Sequence, residues 1–186
     1  RTIDEIHHVQ QAFVDAAVRA QKAGYDGIQL HGCHGYLINQ FVSPQNNHRN
    51  DEYGGTIENR ARFACEIIEK VRELCGPEFL ISVRTTGMEP TLKDAIAVAE
   101  AYVAAGCDYL QVSAGMTSLE ELPKYKEEID TLPSLAIYFK EHFKGKVPIS
   151  CVGGINTPDM VNYLIENEYV DTVDLGRAIL ADPGFA

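Results

Sequence analysis

The sequence predicts an α/β fold with a parallel sheet, and three observations support this prediction. Helical apolar stripes alternate with short apolar strands along the 186-residue chain. Each segment between two strands is long enough for a right-handed crossover helix, which parallel strands require. Polar and glycine-rich segments follow the carboxyl ends of the strands, where parallel α/β folds carry their binding sites.

In the first half of the chain, apolar periodicity and stop signals define each predicted element. Apolar side chains recur at helical spacing from Ile6 onward, and Gly24 follows as a natural stop. Thr56 precedes a second apolar stripe as a suitable N-cap, and Gly76 and Pro77 end that helix. The predicted elements are a helix over residues 3–23, a strand over 26–31, a loop over 35–55 rich in Asn, Pro and Gly, a helix opening at 56, and a strand over 79–84.

In the second half, threonine caps mark two of the predicted helices. Thr91 with Asp94 three residues on resembles a capping box that has Asp in place of Glu or Gln. Thr157 followed by Pro158 places a cap residue before proline at the first helical position. The predicted elements are a helix from 91 to 106, a strand over 108–113, an irregular acidic stretch to about 131, a helix over 133–143, a strand over 147–152, a helix from 157 to about 168, a strand over 170–175 and a helix from about 178.

The order of elements favours a (β/α)8 TIM barrel, of which this chain supplies only part. Such a barrel needs eight strands and about 250 residues, whereas five strands are predicted here. We therefore expect residues 1–186 to be the C-terminal part of a single barrel domain: the last five βα units, with the three N-terminal units absent. A doubly wound open sheet is the alternative, although no Gly-x-Gly-x-x-Gly follows any predicted strand.

Composition excludes several function classes. The formal net charge of −11 and the pI of about 4.9 argue against a nucleic-acid or anionic-membrane partner. No apolar run approaches the roughly 20 residues of a membrane span, and no signal peptide is visible. Five scattered cysteines without a CxxC pair predict neither a zinc ribbon nor an iron–sulfur site, and they indicate a reduced, cytoplasmic protein. The acidic residues between 120 and 130 are interpreted as a solvated face.

The most informative motif is the hexapeptide that runs from His31 through Cys33 and His34 to Tyr36. It places two imidazoles and a phenol within six residues at the carboxyl end of a predicted strand, together with two glycines that allow a sharp bend. These groups are suited to donate hydrogen bonds to a substrate oxygen and to supply a proton. A structural histidine pair, or an adventitious metal site that includes Cys33, is the alternative interpretation.

Three further strand ends predict a binding role. Gly153–Gly154 and Gly176–Arg177 end the last two strands, where many barrels bind phosphate through backbone N–H groups. Without a fold, paired glycines indicate only a tight turn. Arg84 ends the second strand, where its alternative is a surface ion pair. Ser113 ends the third strand and is equally a ligand contact or a plain strand-end hydroxyl.

Residues 26–41, which contain this hexapeptide, resemble the central signature of the old yellow enzyme family, FMN-dependent NAD(P)H:flavin oxidoreductases that include many ene-reductases. The resemblance continues from Ser43 to Phe63, through Ser82–Arg84, and through 152–155 and 175–183, so it covers nearly the whole chain. It lacks the family's first three strands, and the iron–sulfur cysteine cluster and C-terminal domains of some branches. The charged residues of the second block are expected to organise the long loop by ion pairs: Arg49, Asp51, Glu52, Arg60 and Arg62.

The resemblance implies roles for the hexapeptide. His31 and His34 would hold the carbonyl oxygen of an enone and polarise its C=C bond. Hydride would pass from the flavin N5 to the β-carbon, and Tyr36 would protonate the α-carbon. The implied substrate is a small unsaturated carbonyl compound.

The resemblance also implies cofactors, namely FMN with NADH or NADPH as the reductant. Arg84 would sit beside the N1/O2 edge of the flavin, where its charge stabilises the reduced ring. Gly153, Gly154 and Gly176 would approach the FMN phosphate, and Arg177 would pair with it. Because one side of the flavin pocket is missing, we expect these residues alone to bind FMN weakly or not at all.

Two other functional hypotheses follow from the same pattern. A half-barrel without catalysis would oligomerise through its open sheet edges, and we expect a homo-oligomer on that ground. A phosphate-sugar aldolase or isomerase barrel would need a Schiff-base lysine or paired acids at strand ends. No lysine lies at the carboxyl end of a predicted strand, which disfavours the second hypothesis.

Overall fold

A computed structural model describes residues 2–113 and 134–185 as a regular alternation of helices and strands. The predicted acidic stretch and the Glu and Asp residues between 120 and 130 lie outside the described residues. The elements in chain order are α1 (Ile3–Lys22), β1 (Gly27–Gly32), α2 (Leu37–Val42), α3 (Ile57–Cys75), β2 (Leu80–Thr86), α4 (Leu92–Ala104), β3 (Tyr109–Ser113), α5 (Ser134–Phe143), β4 (Ile149–Val152), α6 (Pro158–Glu166), β5 (Thr172–Asp174) and α7 (Arg177–Ala181).

The five strands form one parallel sheet in the order β1-β2-β3-β4-β5. Each strand pairs with the next strand along the chain, as consecutive βα units of a (β/α)8 barrel do. A doubly wound sheet would reverse its strand order at a switch point, and this sheet does not. The predicted incomplete barrel is therefore confirmed.

The two faces of the sheet differ in polarity because side chains alternate along each strand. Leu30, Val83 and Leu110 lie in register on one face and are buried in the apolar core. The opposite face carries a polar row, one residue from each strand in register: His31, Arg84, Gln111, Ser150 and Thr172. The sequence alternation thus separates an apolar packing face from a face that carries polar side chains.

Helix α3 is the main apolar contributor among the helices. Phe63, Ile67, Ile68 and Val71 are at most 1% exposed and face the core, and α3 packs between α1 and α4. Burying side chains of this size contributes about 1.5 to 3 kcal/mol each. This packing supports the sheet that positions the site.

Local capping signals proved accurate. Thr56, Thr91 and Thr157 each accept a backbone N–H from the third following residue, and Pro158 occupies the first turn of α6. Strand boundaries differ from the predictions by at most two residues, which is typical of sequence-based boundaries.

One predicted element was wrong. The expected loop over 35–55 contains the short helix α2, which has no side-chain N-cap because Tyr36 occupies that position. Tertiary packing holds it instead: Phe41 stacks on Phe63 of α3 with ring centroids 4.3 Å apart. A six-residue helix stabilised by packing carries little local signal.

The rest of that loop is fastened by buried polar groups as well as by the expected ion pairs. Arg49 forms an ion pair with Asp51, as predicted. The prediction was wrong for two other arginines, because Arg60 donates to the backbone carbonyl of Val42 at 2.7 Å and Arg62 donates to the carbonyl of Glu52. Backbone carbonyls in a loop need such donors when they are buried.

Among the described residues, no helix combines the length and the apolar character needed to span a membrane.

Candidate active site

The hexapeptide turns sharply as it leaves β1. His34 has φ +61° and Gly35 has φ +75°, so two consecutive residues adopt the left-handed region. Asn39 of α2 accepts the N–H of Gly35 through Oδ1 at 2.7 Å, and Gln40 donates to the carbonyl of Gly35 at 2.7 Å. The first turn of α2 therefore holds both backbone groups of Gly35.

This turn brings the three predicted catalytic side chains together. The ring centroids of His31 and His34 are 5.3 Å apart, and those of His31 and Tyr36 are 5.2 Å apart. All three side chains are exposed at the carboxyl end of the sheet, Tyr36 to 63%. They form one cluster of two imidazoles and a phenol that a ligand can reach.

Ser113 contacts His34 directly. The Oγ of Ser113, at the end of β3, is 2.7 Å from Nε2 of His34, and Ser113 is only 5% exposed. The sequence left its role open between a ligand contact and a plain strand-end hydroxyl. The structure shows that Ser113 orients the second imidazole of the motif.

Burial and charge keep both imidazoles neutral near neutral pH. Partial burial lowers the pKa of His31, and the nearby Arg84 guanidinium lowers it further. The pKa of His34 is lowered by partial burial, by Arg84 and by His31. Each neutral ring then has one N–H donor, the form that can polarise a carbonyl without first losing a proton.

Cys33 lies between the two histidines but points into the protein. It is 0% exposed, and burial raises the pKa of its thiol to about 11, although Arg84 opposes this shift. Its Sγ is 4.0 Å from Nδ1 of His31. The free cysteine is therefore a neutral thiol and a poor nucleophile near neutral pH.

A cleft of about 770 Å³ opens at the carboxyl ends of the strands. All five predicted cofactor-binding residues line it: Arg84, Gly153, Gly154, Gly176 and Arg177. The two glycines after β4 have φ +113° and +73°, a conformation that side-chain-bearing residues rarely adopt. The structure thus collects in one cleft residues that lie up to 93 positions apart in sequence.

Arg84 is the best indication of a bound group in this cleft. Its Nε is buried and has no hydrogen-bond partner among the described residues. A buried donor without a partner costs roughly 1 to 3 kcal/mol, so a ligand acceptor there would recover that loss. An electron-rich heterocycle edge beside Arg84 and a phosphate beside Arg177 fit this arrangement, as FMN requires.

Sequence reasoning missed two residues of the site. Asp174 ends β5, lines the cleft and accepts a hydrogen bond from Ser150. Asn39 of α2 accepts the N–H of Gly35 and so holds the turn. The strand-end rule would have selected Asp174, but no local signal distinguishes Asn39 from the other amides of the loop.

Comparison with known proteins establishes the family. A family model described as NADH:flavin oxidoreductase / NADH oxidase matches residues 2–186. The chain belongs to this family. The resemblance to the old yellow enzymes is thereby confirmed, and the family description agrees with the expected flavin and nicotinamide cofactors.

Several family members are similar over almost the whole chain. An NADH oxidase of Thermoanaerobacter brockii is 41% identical over 98% of this chain and 29% of its own length. An NADPH dehydrogenase of Bacillus pumilus is 38% identical over 99% of this chain and 54% of its own length. The chain therefore spans about half or less of these relatives.

Solved structures agree with the fold. Morphinone reductase in complex with tetrahydroNAD superposes with a TM-score of 0.80 at 27% identity, over 100% of this chain and 48% of that one. A 2-naphthoyl-CoA reductase in complex with 2-naphthoyl-CoA superposes with a TM-score of 0.84 at 28% identity, over 98% of this chain and 28% of that one.

Proposed function

We propose that this chain forms the substrate-activating and phosphate-binding half of an FMN-dependent NAD(P)H oxidoreductase that reduces activated alkenes such as enones. The observation that carries the proposal is the paired neutral imidazoles of His31 and His34 beside the Arg84 cleft. Both features lie at the carboxyl end of one parallel sheet, where barrel enzymes place their chemistry. The family relationship and the relatives named NADPH dehydrogenase support the same class of reaction.

The cleft residues are suited to hold FMN. Arg84 offers its unpaired Nε and its charge to the pyrimidine edge of the flavin, and Arg177 offers a guanidinium to the phosphate. Gly153 and Gly154 expose backbone without a side chain in the way. When bound, FMN supplies the hydride, which it receives from NADH or NADPH.

The two imidazoles activate the substrate by donating hydrogen bonds to one carbonyl oxygen. If the Ser113 hydroxyl donates to Nε2 of His34, the proton of that ring lies on Nδ1, which then faces the ligand. Donors held in advance at a developing negative charge are worth about 3 kcal/mol each. The pair withdraws electrons from the C=C bond and stabilises the enolate that follows hydride addition at the β-carbon.

Tyr36 completes the reaction by protonating the α-carbon. Its ring lies 5.2 Å from that of His31 and is mostly exposed, so a substrate held by the histidines lies within its reach. General acid catalysis by a positioned phenol contributes roughly 10² to 10⁴ in rate.

The proposal is tested by measuring the two half-reactions separately under anaerobic conditions. His31→Ala and His34→Ala are expected to slow oxidation of the reduced flavin by 2-cyclohexenone about 10²- to 10³-fold, because each removes one donor from the carbonyl. Reduction of the flavin by NADPH should change far less. Tyr36→Phe should slow enone turnover by about 100-fold.

His8→Ala is the matched control, because His8 lies exposed on α1, outside the cluster. Equal enone rates in all these variants would contradict the proposal.

A further inference from the structure

Three side chains at the turn form a set of metal-ligating atoms. The donor atoms of His31, Cys33 and His34 all lie within 4.8 Å of one another, and Sγ of Cys33 is 4.0 Å from Nδ1 of His31. Tetrahedral zinc with bonds of about 2.0 to 2.3 Å separates its donors by about 3.3 to 3.8 Å. Small side-chain rotations therefore suffice to close the set around one ion.

We propose that His31, Cys33 and His34 form a three-donor site for Zn²⁺ that competes with the substrate. Two imidazole nitrogens and a thiolate are donors that zinc prefers over the oxygen-seeking cations Mg²⁺ and Ca²⁺. Binding replaces the S–H proton of Cys33 by a Zn–S bond and releases that proton to solvent. A fourth position stays open to water because the described residues supply three donors.

The surroundings make this site accessible and reversible. Both histidines are exposed, so an ion can enter from the carboxyl end of the sheet, while Cys33 closes the site from the interior. The guanidinium of Arg84 acts on all three ligands and opposes an added cation. We therefore expect weaker binding than at a structural site with four protein ligands.

Occupancy of this site would block the proposed reaction. The ion lies between the two rings, in the space that a carbonyl oxygen held by both histidines has to enter. This consequence rests on the proposed function, whereas the binding itself does not. The two parts are therefore tested by different measurements.

Binding is measured on the chain without flavin, with Co²⁺ as a spectroscopic probe and Zn²⁺ in competition with a chromophoric chelator. We expect one ion per chain and a thiolate-to-cobalt charge-transfer band. Cys33→Ser should abolish that band, and both Cys33→Ser and His34→Asn should weaken zinc binding by about 10- to 100-fold. Circular dichroism checks that each variant is folded.

Cys75→Ser is the matched control, because Cys75 lies at the end of α3, away from the turn. Zinc affinity that is equal in the parent chain and in Cys33→Ser would overturn the site, and so would cobalt binding without the thiolate band.

Inhibition is measured on the FMN-loaded protein, with each variant compared with its own metal-free rate. Zinc should raise the apparent KM for the enone in the parent chain and much less in Cys33→Ser. Zinc that binds through Cys33 without slowing enone reduction would overturn the blocking role and leave the site intact. No zinc binding in an active enzyme would overturn the site and leave the proposed function intact.

Discussion

A hydrogen bond with Ser113 restrains the orientation of the His34 ring. His34 is exposed and has a left-handed backbone, with φ +61°. The hydrogen bond with the Ser113 hydroxyl, at the end of β3, fixes the Nε2 side of its ring. The histidine pair of the motif is thus supported by a hydroxyl that lies 79 positions after His34 in the sequence.

The pH dependence of stability provides a test at the residue scale. The pKa values of His31 and His34 are lowered in the folded protein, so below about pH 6.5 the unfolded chain binds more protons than the folded one. Stability therefore falls as the pH drops through this range. The double variant His31→Gln/His34→Asn should show a shallower decline in urea midpoint between about pH 7 and pH 5.

Replacement of His8 by Gln is the control, because His8 lies exposed on α1, outside the cluster. A decline as steep in the cluster variant as in the parent chain would show that the two imidazoles are not perturbed as described.

At the scale of elements, helix α2 holds the turn at His34 and Gly35 in place. Its apolar side packs on α3 through Phe41, and its first turn binds both backbone groups of Gly35. Asn39 is buried and its Nδ2 also reaches Glu89 in the segment after β2 at 3.5 Å. The helix thereby links the turn to the neighbouring βα unit.

Asn39→Ala tests this positioning role. The substitution removes the acceptor of the Gly35 N–H and should lower the free energy of unfolding by about 1 to 2 kcal/mol. A looser turn should lower kcat for the enone by roughly tenfold with a smaller change in KM for NADPH. Asn167→Ala is the control, because Asn167 is exposed at the end of α6. Loss of stability with unchanged enone kinetics would show that Asn39 stabilises the fold but does not position the site.

At the scale of the whole molecule, the two ends of the sheet differ. The candidate site lies at the carboxyl end, and ion pairs that also hydrogen-bond backbone groups, here called charged clamps, lie at the amino end. Arg72 of α3 donates to three backbone carbonyls, those of Gly76, Phe79 and Gly106. It also forms an ion pair with Asp108, and Asp108 accepts the N–H of Ile81 at 2.8 Å. A second clamp of the same kind precedes β5, where Asp171 pairs with Lys140 and accepts the N–H of Ile149.

Arg72→Met is therefore expected to affect stability without affecting chemistry. It removes the guanidinium donor of several carbonyls and the ion-pair partner of Asp108. The free energy of unfolding should therefore fall by about 2 kcal/mol after allowance for partial exposure. Lys140→Met removes one ion pair and should cost less than about 1 kcal/mol. Chemical denaturation measures both values, and the enone rate well below the unfolding temperature should stay that of the parent chain. A large loss of that rate in Arg72→Met would refute this division between the two ends.

Prediction from sequence succeeded where the signal is local. The caps at Thr56, Thr91 and Thr157 depend on hydrogen bonds within one turn, and the positions of the strand ends follow from apolar runs. It failed for α2, whose six residues are held by contacts with α3 rather than by propensity. It also assigned ion pairs to Arg60 and Arg62, because a sequence does not show which carbonyls become buried.

The sequence by itself determined the parallel α/β architecture and the family, and it selected the candidate site residues, because alternation, caps and motifs are properties of neighbouring residues. Only the tertiary structure decided that Ser113 and Asn39 contact the turn, that Arg84 has a buried nitrogen without a hydrogen-bond partner among the described residues, and that the donor atoms of Cys33 and two histidines lie within 4.8 Å of one another. Those facts depend on distances between strands and helices far apart in the chain. Sheet register and packing set these distances, and no local pattern encodes them.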